Sequence, residues 1–217
     1  MTRPLLVLRP QPGADATGAR ARALGLKPFV TPLFRIAPLG WEMPDRQCDA
    51  ILMTSANAAR SLDDRVDRMI PVYAVGAATA EAAQAAGFAS VIAGRGDVEQ
   101  VVKRAAADGI GSLLHLTGVD RTGFDPEGLR IEVRAIYAAE PIDPGSEFAN
   151  ALQLGAVALL HSARAARRFR ELAGTGHLIA AISPAVKAAA GGGWEQAVAA
   201  GRPTDDALLA AAARLCQ

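Results

Sequence analysis

The sequence predicts an α/β protein with two parallel β-sheets. Short runs rich in Val, Ile and Leu alternate with alanine-rich stretches of helical composition, which is the pattern of repeated βαβ units. The 217 residues suffice for two domains of about 100 residues, each with its own core. Ten apolar runs occur, so we expect two sheets of five strands. These runs lie near residues 5–8, 29–33, 50–54, 72–75, 90–93, 113–116, 131–135, 156–161, 179–182 and 197–199.

An internal repeat indicates that the two domains are built alike. Three blocks recur in one order, with an offset close to the 107 residues that separate Ser55 from Ser162. The pairs are LLVL at 5–8 with LLHL at 113–116, ILMTS at 51–55 with ALLHS at 158–162, and YAVGAATAEAA at 73–83 with AAISPAVKAAA at 180–190. Alanine richness could imitate one block by chance, but not three in register. We therefore interpret the repeat as a duplication.

Two extended segments separate the repeated blocks. They are TPLFRIAPL at 31–39 and AIYAAEPID at 135–143, and each contains a proline near its end. Proline fits neither a helix interior nor the middle of a sheet. These segments are expected to be paired connections between the domains.

Composition argues against several classes of function. The net charge of +1 provides no general attraction for nucleic acid. Apolar runs are far shorter than the roughly 20 residues of a membrane span, and the first ten residues lack the apolar run of a signal peptide, so we expect a cytoplasmic protein. Cys48 and Cys216 have no motif partner, which argues against a disulfide framework or a metal site.

Hydroxyl side chains stand where strands end. In an open α/β sheet, ligands bind beyond the carboxyl ends of the strands, near helix N-termini. Ser55 and Ser162 occupy this position in the two repeats, followed by Asn57 and Arg164 at equivalent places. Each serine could equally be an ordinary helix N-cap, and only its recurrence favours an anion site.

The other strand exits have a similar composition. Gly76 permits a tight exit, and Thr79 offers a hydroxyl in the next helical turn. In the second copy Ser183 and Pro184 stand at the exit, and no hydroxyl follows. Arg9 and Arg121 follow two further strands and could bind carboxylates with their guanidinium groups, or simply be exposed surface residues.

One tyrosine is a candidate acid. Tyr137 lies in the connecting segment at 135–143, and a phenol is protonated at neutral pH, so it can donate a proton. Packing at a junction between domains is the alternative. We find no GxSxG, HExxH or GxGxxG pattern, which leaves hydrolysis, zinc chemistry and dinucleotide binding without a candidate.

Eight segments together resemble the uroporphyrinogen-III synthase family. None is specific alone, whereas their order and spacing are. They are LRP at 8–10, TSANA at 54–58, VGAATA at 75–80, LTGVDR at 116–121, VRAIYAAEP at 133–141, HSARAARRF at 161–169, AISPAVKAA at 181–189 and PTDDALLAA at 203–211.

The resemblance implies two flavodoxin-like domains, each with a doubly wound parallel sheet, joined by a two-stranded linker and separated by a cleft. One domain would contain residues 1–34 and 142–217, and the other residues 38–135. Residues 35–37 and 136–141 would form the linker strands. The repeat alone would equally allow a division near residue 110.

The resemblance also implies a cyclising hydro-lyase of tetrapyrrole biosynthesis. Its substrate would be hydroxymethylbilane, a linear tetrapyrrole with eight carboxylates, which loses water and closes with inversion of ring D to uroporphyrinogen III. No cofactor and no metal are implied. We expect a monomer that binds this small molecule, with transient handover from the upstream bilane-forming enzyme, and neither nucleic acid nor membrane as a partner.

Matched to the family's motifs, Tyr137 is the candidate catalytic residue. The candidate substrate-binding residues all lie at strand exits: Arg9, Ser55, Ala56, Asn57, Gly76, Thr79, Gly118, Arg121, Ser162, Ala163, Ser183 and Ala185. The family often carries threonine in the turn where this chain has Ala185 and Val186. A catalytically weakened paralogue is therefore one alternative. A non-enzymatic two-domain module that binds an anionic small molecule is another.

Overall fold

The computed structural model describes residues 2–121 and 123–217 and divides into two compact units. Unit 1 contains Met1–Arg35 and Glu140–Gln217, and unit 2 contains Ile36–Ala139. Unit 1 is therefore built from both ends of the chain and unit 2 from its middle. The boundaries of the two domains and of the separate linker strands given above stay a prediction.

Strands and helices alternate along most of the chain. In order they are β1 (Leu5–Val7), α1 (Gly13–Ala23), β2 (Pro28–Val30), β3 (Phe34–Pro38), β4 (Ala50–Met53), α2 (Ala56–Arg60), β5 (Val72–Ala74), α3 (Ala77–Ala85), β6 (Val91–Ala93), α4 (Val98–Ala107), β7 (Ser112–Gly118), β8 (Arg130–Pro141), α5 (Gly145–Gln153), β9 (Val157–Leu160), α6 (Ala163–Ala173), β10 (Leu178–Ala181), α7 (Pro184–Ala190), β11 (Gln196–Ala199) and α8 (Asp205–Leu215).

The sheet of unit 1 has five parallel strands in the order β2-β1-β9-β10-β11. Every residue of β1, β9 and β10 is buried. This is expected of a parallel sheet that is covered by helices on both faces, because neither face can be polar. The strand order is that of a flavodoxin-like fold.

The sheet of unit 2 has the strand order β3-β8-β7-β4-β5-β6. Alternate residues of β4 enter different cores: Ile51 and Met53 pack in one apolar cluster, and Ala50 and Leu52 in another. Because successive side chains of a strand point to opposite faces, this sheet also has a core on each face. Full burial of each such Ile, Leu or Met contributes about 1.5–3 kcal/mol.

The repeat explains why the two sheets are alike. Strands β7, β4 and β5 are the repeat counterparts of β1, β9 and β10, and they occupy the same places in the strand order. Among the five strands that correspond between the sheets, each sheet therefore takes two from one copy of the repeat and three from the other, and β3 is an additional strand at the edge of the second sheet. The predicted α/β class with two doubly wound parallel sheets is confirmed.

One expectation about the strands is wrong. The structure has six strands in the second sheet, because Phe34–Pro38 forms β3 and hydrogen-bonds to β8. Strand β8 runs for 12 residues and joins the predicted strand at 131–135 to the extended segment after it. The backbone N–H of Leu39 also donates to the carbonyl of Ile136 at 2.9 Å. The two connecting segments thus pair as strands.

Candidate functional site

The candidate residues lie at the carboxyl ends of the strands within each unit. In a flavodoxin-like sheet the strand order reverses at one place, the switch point. Ligands bind there, between the first strand and the neighbouring strand at which the order reverses. This switch point lies between β1 and β9 in unit 1 and between β7 and β4 in unit 2. Arg9 and Ser162 follow the first pair of strands, and Gly118 and Ser55 end or follow the second pair.

Three of the candidate serines cap helices. The backbone N–H of Asn57 donates to the Ser55 hydroxyl at 3.2 Å, that of Ala165 to Ser162 at 3.1 Å, and that of Val186 to Ser183 at 3.3 Å. Each serine thereby satisfies an amide in the first helical turn. A hydroxyl that accepts such a bond still has its own proton to donate, so capping and ligand binding are compatible.

Tyr137, Gly118 and Ser55 come together at the switch point of unit 2. Strands β7 and β8 pair in parallel, and a bulge between Thr117 and Gly118 shifts the register so that Gly118 lies opposite Tyr137. A Cβ on Gly118 would lie 2.7–3.0 Å from three atoms of the phenol group, one of them the oxygen. Only glycine allows the ring to lie this close to the backbone.

The environment of Tyr137 keeps the phenol protonated and prepares its oxygen for charge. The side chain is 9% exposed, and this burial, together with the charge of Asp120, raises its pKa. Hydrogen bonds from the Ser55 side chain and the Gly118 backbone act in the opposite direction. An interaction that lowers the pKa of a phenol stabilises its ionised form relative to its protonated form.

At the β1 exit of unit 1, the Arg9 guanidinium is closely packed. A Cβ on Gly13 would lie 2.7 Å from Arg9 Nε, and Arg9 Nη1 donates to the Thr17 hydroxyl at 3.4 Å. Arg9 Nη1 also lies 3.7 Å from the Asp205 carboxylate, and 34% of its side chain is exposed. The sequence predicted Arg9, but it did not predict the groups that orient it.

The remaining candidates differ in exposure. Thr79 is buried, at 6% exposure, and its backbone N–H donates to the carbonyl of Gly76 at 3.0 Å. Arg121 is exposed. Burial is the larger cause, and the charge of Arg121 the smaller one, that lowers the pKa of His115 to about 4. Ala56 and Ala163 begin α2 and α6, and Ala185 is the exposed second residue of α7.

Asp205 and His161 are absent from the sequence-based candidates. His161 Nε2 lies 2.8 Å from Asp205 Oδ1. Asp205 stands in the segment PTDDALLAA at 203–211, which resembles the family's pattern. An acidic residue directly after an N-cap threonine usually indicates only a favourable helix start, so no local signal distinguished it.

No residues in the described part of the chain gather as a metal site of three or more His, Cys, Asp or Glu side chains. Cys48 and Cys216 are both buried, free thiols. Among the described helices, none combines the length and the apolar character that crossing a bilayer requires.

Comparison with known proteins identifies the family. The family model described as "Uroporphyrinogen-III synthase HemD" matches residues 15–210. The chain belongs to the uroporphyrinogen-III synthase family. Arg9 lies outside the matched residues, and the other candidate residues lie within them.

Solved structures resemble the chain to different degrees. A uroporphyrinogen-III synthetase structure from Helicobacter pylori matches with a TM-score of 0.65 and 18% identity, over 97% of each chain. A mutant uroporphyrinogen III synthase from Thermus thermophilus matches with a TM-score of 0.48 and 20% identity, over 96% of this chain and 88% of the other. No curated protein matches the sequence significantly.

Proposed function

We propose that the chain is a working uroporphyrinogen-III synthase that converts hydroxymethylbilane to uroporphyrinogen III and water. The observation that carries this proposal is the phenol of Tyr137 at the switch point of unit 2, beside Ser55 and Gly118, in a member of this family. The reaction makes it a cyclising hydro-lyase.

The substrate supplies much of the driving force itself. A pyrrole nitrogen lone pair expels the terminal hydroxyl, the C–O bond breaks and water leaves. The terminal carbon then forms a C–C bond to the substituted carbon of ring D, which gives a spiro intermediate. The original bond from that carbon to the neighbouring bridge carbon breaks, the bridge carbon bonds to the unsubstituted carbon of ring D, and that carbon loses its proton. Without an enzyme the ring closes without inversion to the type I isomer. The protein must therefore impose geometry and assist departure of the hydroxyl.

Tyr137 is proposed to donate a proton to the departing hydroxyl. Its raised pKa keeps the phenol protonated at neutral pH, so the acid form is the one present. As the proton moves, negative charge develops on the phenol oxygen. The interactions with the Ser55 side chain and the Gly118 backbone, which lower the pKa of this phenol, would stabilise the charge in the transition state.

The other candidates are proposed to bind the carboxylate arms. Arg9 and Arg121 are cations that suit carboxylates, and the hydroxyls of Ser55, Ser162 and Ser183 can donate hydrogen bonds. The same role is proposed for exit residues that contribute backbone groups or small side chains. These are Ala56, Asn57, Gly76, Thr79, Gly118, Ala163 and Ala185.

Some finer properties are also proposals. We place the protein in the cytoplasm as a monomer that receives the bilane by transient handover from the enzyme that forms it. Size-exclusion chromatography with light scattering would test the monomer. A mass near the 22.4 kDa of one chain is expected, and a doubled mass would contradict it.

The activity is tested by supplying freshly made hydroxymethylbilane, oxidising the products and separating the porphyrin isomers. A working synthase yields type III, whereas a protein that only binds the bilane leaves type I. A third outcome, type III formed only at stoichiometric protein, would favour the weakened paralogue that Ala185 in the α7 turn suggests.

A further inference from the structure

One carboxylate joins the two strand exits at the switch point of unit 1. Asp205, the first residue of α8, accepts hydrogen bonds from the Thr17 hydroxyl at 2.9 Å and from Arg20 Nη1 at 2.9 Å. His161 Nε2, at the β9 exit, lies 2.8 Å away, and Arg9 Nη1, at the β1 exit, 3.7 Å away. Only 10% of the Asp205 side chain is exposed.

The protonation states of this cluster follow from its contacts. Burial lowers the pKa of His161 despite the opposing effect of Asp205, so the imidazole is neutral and its Nε2–H donates to the carboxylate. Burial by itself would raise the pKa of Asp205, but hydrogen bonds from His161, Arg20 and Thr17 outweigh burial and lower it. Asp205 is therefore an ionised group surrounded by donors.

This arrangement restricts the Arg9 side chain. The guanidinium occupies the space that a Cβ on Gly13 would need, Thr17 and Asp205 approach Nη1, and a third of the Arg9 side chain stays exposed. An arginine that is already ordered loses less conformational freedom when it binds an anion. A partly exposed, pre-ordered guanidinium at a strand exit is suited to a carboxylate.

We propose that Asp205 is a positioning residue: it orders Arg9 so that unit 1 binds a carboxylate of the substrate. This inference rests on the proposed function. Asp205 itself would not touch the substrate, because its own oxygens are taken by protein donors.

A purely structural role is the competing explanation. An aspartate in the first turn of α8 stabilises the helix wherever the substrate binds. Asp206 provides the matched control, because it carries the same charge in the same turn but is exposed. A structural effect would also act independently of Arg9, whereas a positioning effect must act through it.

A double-mutant cycle separates the two explanations. The variants are Arg9→Gln, Asp205→Asn and their combination, with Asp206→Asn as the control. The measured quantity is the Kd for uroporphyrin III, a porphyrin with eight carboxylates, followed by its fluorescence. We expect each single change to weaken binding about tenfold and the combination to cost no more than Arg9→Gln alone. Asp206→Asn should stay within about twofold.

Additive losses in the cycle, or unchanged binding in folded Asp205→Asn, would overturn the proposal. If Asp205→Asn does not fold, Thr17→Val replaces it, since that change removes one donor to Asp205 and one contact of Arg9. The cycle is then read in the same way. Failure of the proposed function would give a different result. The Kd values for uroporphyrin would still be non-additive in the cycle, but the wild type would yield only the type I isomer from hydroxymethylbilane.

Discussion

Gly118 and Ser55 determine what the phenol of Tyr137 can do. The glycine permits the ring to lie against the backbone, and the Ser55 oxygen accepts from the Asn57 backbone while its side chain also interacts with the phenol. Burial raises the pKa of the phenol, and the interactions with Ser55 and Gly118 lower it. An acid that must be protonated at rest and briefly charged during the reaction needs both influences.

Replacing Tyr137 by Phe should slow formation of type III about a hundredfold and leave the fold intact, because only a proton donor is lost. The measurement is the initial rate of type III formation. Tyr73→Phe is the matched control: Tyr73 is buried and its hydroxyl donates to Asp108 at 3.0 Å, away from the candidate site. Full activity in folded Tyr137→Phe would remove this residue from the mechanism.

A methyl group at position 118 should act through Tyr137. It would overlap the phenol ring, so Gly118→Ala should displace the ring and lower the rate of type III formation as Tyr137→Phe does. Gly123→Ala serves as a control, because nothing lies within 4 Å of a Cβ at Gly123. The phenol's pKa, followed by ultraviolet titration, should shift only in the first variant. An unshifted pKa with normal turnover would show that the close contact is unimportant.

The sequence indicated Tyr137 as a candidate site residue but did not indicate Asp205. Tyr137 lies within a motif of nine neighbouring residues, at 133–141, that resembles the family's pattern. The partners of Asp205 are 44 residues away at His161 and 188 residues away at Thr17. Contacts between such distant segments exist only after the sheet has formed, so no local sequence pattern predicts them.

At the scale of single elements, the caps of α2 and α6 have two proposed roles. Replacing both Ser55 and Ser162 by Ala should cost about 1 kcal/mol of unfolding free energy per cap and should also raise the KM for hydroxymethylbilane. Asp97 caps α4 by accepting from the Glu99 backbone at 2.9 Å. Asp97→Ala should therefore lose similar stability with unchanged KM. Equal KM values in the two variants would show that the serines cap their helices and do not bind the substrate.

Strand β7 contains a buried histidine that weakens the fold in acid. His115 is 1% exposed and lies 3.3 Å from the Thr54 hydroxyl. Its pKa falls from 6.5 to about 4, first through burial and then through Arg121. The unfolded chain binds the proton more readily, so stability is complete above pH 6.5 and declines as the pH falls towards 4, by roughly 3 kcal/mol.

His115→Val should flatten this decline, since valine stands at the equivalent position of β1. The test is urea unfolding at a series of pH values between 4 and 7. His161, whose pKa is also lowered, remains as a second source of acid sensitivity, so the slope should shrink without vanishing. An identical slope in the variant would show that His115 titrates normally.

Strands that are buried on both faces are the easiest to predict from sequence, although the partly exposed strands β2, β6 and β11 also coincide with predicted apolar runs. Strands such as β4 and β9 consist entirely of buried residues and stand out as short apolar runs. Strand β3 has mixed exposure and contains the exposed Arg35, so its sequence shows no such run. Its strand character comes from hydrogen bonds to β8, which the residues of β3 do not encode by themselves.

At the scale of the whole molecule, the duplication accounts for two sheets of the same strand order. The repeat revealed which strands correspond, because their sequences match at a constant offset. It could not reveal which copies share a sheet, since swapped and unswapped pairings satisfy the same local patterns. That assignment depended on the resemblance to the family, and the two units of the structure follow the swapped pairing.

The proposed function requires this fold to select the inverted ring over the one that forms spontaneously. The most direct test is the isomer composition of the porphyrin produced from hydroxymethylbilane at increasing protein concentration, with a protein-free sample alongside. We expect type III to rise at the expense of type I until it dominates at catalytic amounts of protein. Type I at every concentration, as in the protein-free sample, would contradict it.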